Sequence, residues 1–96
     1  TDPATGEALG DVHVHTREEI EAMIAVGRKA QVAWGKTSFA ERRAVLRTVL
    51  AMVVERQEEL CRLAVRDSGK TMVDAAMGEV FPVCEKLRYT IAHGAA

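Results

Sequence analysis

Four small groups of residues are of types that could do chemistry. His13 and His15 stand two apart, which on an extended strand puts both imidazoles on one face, as two ligands of a metal would need. A zinc site also requires one or two further ligands and their supporting partners. His93, Cys61 and Cys84 lie far away in sequence and inside helical patterns. The expectation is therefore two solvated histidines and no metal site. Ser68-Gly69-Lys70-Thr71 ends like a phosphate-binding loop. The position that should hold that loop's first glycine is Ala64, and a helical pattern precedes it where a strand belongs. A glycine closing one helix and a threonine opening the next use the same residues completely.

A catalytic thiol needs a helix N-terminus, a cation or a histidine beside it. Cys61 falls in mid-helix, with Arg62 and Arg66 on its C-terminal side, and Cys84 follows Pro82 on an apolar helix face. Neither has the exposed, glycine-rich turn a nucleophile uses, so both read as small core hydrophobes in a reducing compartment. Arg42, Arg43 and Arg47 occupy the first turns of a helix, the end where the macrodipole disfavours cations. They could grip a phosphate or an acidic partner, but ion pairing with neighbouring carboxylates is the favoured reading. No nucleophile–base pair, metal cluster or phosphate cradle assembles. The expected catalytic, cofactor-binding and metal-ligating residues among these 96 are none.

The elements that would position these groups follow from pattern. The chain has 96 residues, 48% apolar and 28% charged, with a formal charge of −1. That is a globular composition with room for one domain. It lacks the net basic character of a protein that neutralises nucleic-acid phosphates, and no apolar run approaches the roughly 20 residues of a membrane span. Asp2-Pro3-Ala4-Thr5-Gly6 is turn chemistry. Residues 8–15 alternate, with Val12 and Val14 opposite His13 and His15, which predicts one β-strand. Its ladder partner is expected upstream. The chain opens Thr1-Asp2-Pro3 with no initiator Met or signal-peptide pattern, so it is expected to be a piece of something longer, with any targeting signal out of sight.

Thr16-Arg17-Glu18-Glu19 and Ser38-Phe39-Ala40-Glu41 are capping boxes. They predict a helix over 16–35 and a long helix over 38–68, kinked or briefly broken near 55–59 where Arg56-Gln57-Glu58-Glu59 interrupts the apolar pattern. A third helix is predicted over 71–93, opened by Thr71 and bent near 82 by Pro82, with Gly78 easing the bend. Between Ala44 and Val54 only Arg47 and Thr48 are polar. The large apolar residues there spread over an arc of about 200°, against the roughly 100° stripe of a one-sided helix. Such a helix must be covered on two sides, so the segment is expected to pack onto a larger body.

Several short pieces then resemble, in register, the amino-terminal segment of the aldehyde dehydrogenase superfamily. They are Asp2-Pro3-Ala4-Thr5-Gly6-Glu7, Ala30-Gln31 with Ala33-Trp34, and Glu41-Arg42-Arg43 with Val45-Leu46. Glu55-Arg56-Gln57-Glu58-Glu59-Leu60, Asp67-Ser68-Gly69-Lys70, and Gly78-Glu79-Val80 with Leu87-Arg88-Tyr89 continue the order. Pro82 departs from the family pattern, in a stretch that is usually uninterrupted helix. The resemblance implies an α/β parent enzyme that oxidises an aldehyde to a carboxylic acid with NAD or NADP. It implies that these residues, one strand and then three helices packing on the cofactor domain, form the amino-terminal part of the NAD(P)-binding domain. The family's catalytic cysteine, general-base glutamate and cofactor loop match no position here, so the segment is expected to be structural and inactive alone. The implied partners are the remainder of the same subunit, an aldehyde substrate and further copies in a homo-oligomer, in the cytoplasm or another reducing compartment. The rival from a different class is a stand-alone helical scaffold or interaction module without enzyme activity.

Overall fold

Helices begin in this chain where short polar side chains can reach back to free amides. The computed structural model describes residues 1–95. Helix α1 spans Arg17–Trp34, with Thr16 as its N-cap. The Thr16 hydroxyl accepts from the Glu19 amide at 3.2 Å, and the Glu19 carboxylate accepts from the Thr16 amide at 2.8 Å. Ser38 and Glu41 repeat the reciprocal pair at the start of α2, Phe39–Glu55. Each pair satisfies two donors that a helix start otherwise leaves free.

The helical run over 38–68 is broken within the expected 55–59 stretch. Arg56 (φ −98°, ψ 17°) separates α2 from α3, Gln57–Ser68. The polar run there has no apolar side chain to hold a continuous rod. Glu58 and Glu59 instead suit the positive end of a new helix, and Arg56 grips both oxygens of Glu59 at 2.6 and 2.8 Å. Helix α3 stops at Gly69, whose φ of 71° lies in the left-handed region that favours glycine. A Cβ there would stand 2.9 Å from the Pro3 ring, because the amino-terminal turn folds against this corner. That turn forms as its residues predict: the Gly6 amide donates to the Asp2 carbonyl and the Asp2 amide to the Glu7 carbonyl, both at 2.8 Å.

Thr71 caps α4, Met72–Ala75, by accepting from the Asp74 amide. The next turn, Ala76–Val80, is π-helical, and α5 follows over Phe81–His93. The Phe81 amide donates five residues back, to Ala76. This wider turn is the answer to Pro82 in the first turn of α5. In an unbroken α-helix the proline would lack its hydrogen bond and press its ring on the Gly78 carbonyl.

The strand predicted over 8–15 does not form in this structure: none of these residues is in a strand, and the described residues contain no sheet. Val12 and Val14 are 89% and 88% exposed. Alternation makes a segment suitable for a pleat, but a strand exists only when a second one satisfies its amides and carbonyls.

Helix α5 lies along α2, while α3 packs on α4 and the π turn; α1 has no extended interface with any other helix. Only Cys61 on α3 and Ala75 on α4 are buried among the described apolar residues. The Cα radius of gyration is 17.5 Å, where a compact chain of this length has about 12–13 Å. The accessible surface is 7730 Å², against about 5,400 Å² for a folded monomer of this mass. Large apolar side chains are among the exposed residues, including Ile20, Met23 and Ile24 on α1 and Val45, Met52 and Val54 on α2.

Candidate functional site

The residues that converge most closely lie at the start of α1. The capping box bends the Glu19 side chain back over the N-cap, toward the extended segment that carries the two histidines. His13 Nε2 lies 3.2 Å from Glu19 Oε2 and 3.4 Å from Oε1, and His15 Nδ1 lies 3.5 Å from Oε2. The two rings meet edge to face, with centroids 4.6 Å apart. Among the described residues this is the one group of three or more His, Cys, Asp or Glu that could hold a metal ion, with ligand atoms all within 4.8 Å of one another. All three side chains are exposed. The Thr16 amide, and then the His13 ring, hold the Glu19 carboxyl below the usual glutamate range. Reading the histidines as a strand pair missed Glu19. Its capping role was legible, and a glutamate four residues after His15 was the available signal.

The other candidate groups resolve into structure. Arg42 donates to the Trp34 and Gly35 carbonyls at 3.2 and 3.1 Å and to the Thr37 hydroxyl at 3.0 Å. Its guanidinium also lies over the Phe39 and Trp34 rings, at 5.4 and 5.9 Å. A cation unfavourable for its own helix start thus serves the negative end of the preceding helix. Arg43 borders a cleft of about 190 Å³ between the start of α2 and the end of α5, lined also by Phe39, Leu46 and Thr90. Cys61 and Cys84 are free thiols, the first buried and the second half-buried.

Ser68–Thr71 is the junction of α3 and α4. Lys70 pairs with Glu79 and Thr71 caps α4, so neither is turned to a phosphate, and the Pro3 ring fills the close-approach side of Gly69. No helix among the described residues is long and apolar enough to cross a membrane.

The geometry defines a capped helical segment with far more apolar surface than it can cover. The chain matches the aldehyde dehydrogenase family over residues 1–96, and it belongs to that family. It is 42% identical over 92 residues to an aldehyde dehydrogenase-like protein of Saccharomyces cerevisiae, covering 96% of this chain and 14% of the relative. A malonate-semialdehyde dehydrogenase of Halalkalibacterium halodurans is 40% identical over 78 residues, 81% of this chain and 16% of the relative. A mitochondrial methylmalonate-semialdehyde/malonate-semialdehyde dehydrogenase (acylating) of Rattus norvegicus is 39% identical over 79 residues, 82% and 15%. The chain thus spans only 14–16% of the length of these relatives. No solved structure matches it.

Proposed function

We propose that these residues are a packing segment of a longer aldehyde dehydrogenase subunit, an oxidoreductase that converts an aldehyde to a carboxylic acid with NAD or NADP. The observation that carries this reading is the apolar surface of α1 and α2. The surplus over a compact chain is about 2,300 Å² on this side alone, well above the roughly 800 Å² per partner of a standard interface. Family membership supplies what would cover it, the remainder of the same subunit, whose length is several times that of this segment in the relatives. On this reading the nicotinamide cofactor and the reacting cysteine and glutamate are held elsewhere in the subunit, and the segment alone is inactive. Its contribution is to support the cofactor domain. The family membership also favours a homo-oligomer, and the two free thiols favour a reducing compartment.

The test uses the native protein carrying this sequence. Its intact mass is expected to be several times 10.5 kDa. An aldehyde panel that includes malonate semialdehyde and methylmalonate semialdehyde should then yield reduced NAD or NADP. A native mass near 10.5 kDa, or a folded full-length protein that reduces neither nicotinamide with any aldehyde, would overturn the proposal. The former result would favour a self-associating helical module instead.

A further inference from the structure

We propose that His13, His15 and Glu19 form a binding site for one divalent transition-metal ion of the zinc class. The inference does not depend on the enzyme reading, because it rests on three side chains and their spacing. Zinc takes imidazole nitrogen and carboxylate oxygen at about 2.0–2.2 Å, which sets neighbouring ligand atoms of a tetrahedral site about 3.3 Å apart. Two of the three edges stand near that length: 3.2 Å from His13 Nε2 to Glu19 Oε2 and 3.5 Å from His15 Nδ1 to the same oxygen. The third edge, between the imidazoles, lies within 4.8 Å. Closing it asks for up to about 1.5 Å of movement between two exposed rings on a segment outside any helix or sheet.

The ligand that would be hardest to place is already held. The Thr16 amide orients the Glu19 carboxylate at 2.8 Å, as hydrogen bonds behind metal-binding carboxylates do. Two imidazoles and one carboxylate suit zinc, cobalt or nickel, and not calcium or magnesium, which take oxygen ligands. The set leaves coordination open on the solvent side, as sites with three protein ligands do. The positive end of α1 works against a cation, and the acidic residues Glu18 and Glu19 in its first turn offset this. Two imidazoles hydrogen-bonded to one carboxylate would use the same contacts without any ion, so metal uptake decides between the two.

The full-length protein, stripped with a chelator, is titrated with zinc chloride by calorimetry and with cobalt chloride by visible absorption. Wild type, the double variant His13→Ala/His15→Ala, and Glu19→Gln are compared. The histidines are unpacked, and glutamine keeps an oxygen that can accept from the Thr16 amide, so both variants should retain the helix. The wild type is expected to take up one zinc equivalent more than the double variant. Glu19→Gln should bind that equivalent at least about tenfold more weakly, the floor set by losing even a group that only hydrogen-bonds to a metal ligand. Cobalt should give the intense visible bands of a four-coordinate site in wild type alone. Equal stoichiometry in wild type and the double variant, or unchanged zinc affinity in Glu19→Gln, would overturn the site.

Discussion

Ile24 stands on the apolar stripe of α1 and is 56% exposed, with no helix packed over it. Replacing it by glutamate isolates what covers that stripe. Where nothing does, the change is nearly neutral. Glutamate is at least as good a helix former as isoleucine, and Arg28 four residues on would add a few tenths of a kcal/mol. Glu21 on the preceding turn returns a similar amount with the opposite sign, so the net effect stays within about 0.5 kcal/mol. Where the remainder of a subunit lies on α1, two losses add. Removing the covered half of the isoleucine side chain costs about 1 kcal/mol, and an unpaired carboxylate under protein costs about 3–5 kcal/mol. Thermal melting of the full-length protein reads the difference. Ile24→Glu is expected to lower the melting temperature by at least about 3 °C, given that 1 kcal/mol shifts a chain of 150–250 residues by about 2–4 °C and a longer one by less. Ile24→Leu should melt close to wild type, as should Lys29→Glu, which changes charge at an exposed position of the same helix. If Ile24→Glu melts within about 1 °C of wild type, α1 is uncovered and the reasoning from exposed apolar surface fails.

Arg42→Ala should destabilise the protein by about 0.5–1.5 kcal/mol in urea unfolding, since it removes the hydrogen bonds to the Gly35 carbonyl and the Thr37 hydroxyl, while the Trp34 carbonyl keeps the Thr37 amide and hydroxyl. Arg42→Lys should recover little of this, because an ammonium cannot span three acceptors as a planar fork does. Gly69→Ala should cost about 1–2 kcal/mol for the left-handed backbone, with the contact to Pro3 adding to it. A full-length protein unchanged in urea midpoint would show that this corner is rebuilt. The Ser38 amide, and then the Ser38 hydroxyl, hold Glu41 below the ordinary glutamate range. Its folded value lies below its unfolded one, so its stabilisation is complete above the ordinary range and is lost as pH falls through the lowered value. Stability followed from pH 6 downward should therefore decline less steeply in Glu41→Gln than in wild type.

What could be read from the sequence alone was local. Thr16 with Glu19, and Ser38 with Glu41, start helices because both partners sit within one turn, where chain connectivity brings them together. The Gly69 stop and the Thr71 start are equally short-range, which is why the apparent phosphate-loop tail was legible as a helix junction. The two-sided apolar face of α2 was also legible, since helical geometry alone places those side chains. The strand over 8–15 was not decidable from its own residues, because a ladder needs a partner that alternation does not supply. Nor was the role of Arg42, which depends on the turn after α1 folding back until its carbonyls face the guanidinium. Whether Pro82 would bend a helix or widen one turn depended on how the backbone accommodates a missing donor beside packed α2 and α3. The approach of Glu19 to His13 and His15 was set by the path of the chain before the N-cap. Sequence determines contacts made within about one helical turn. Contacts that depend on where a loop leads, or on which surface finds a partner, are decided only by the tertiary structure.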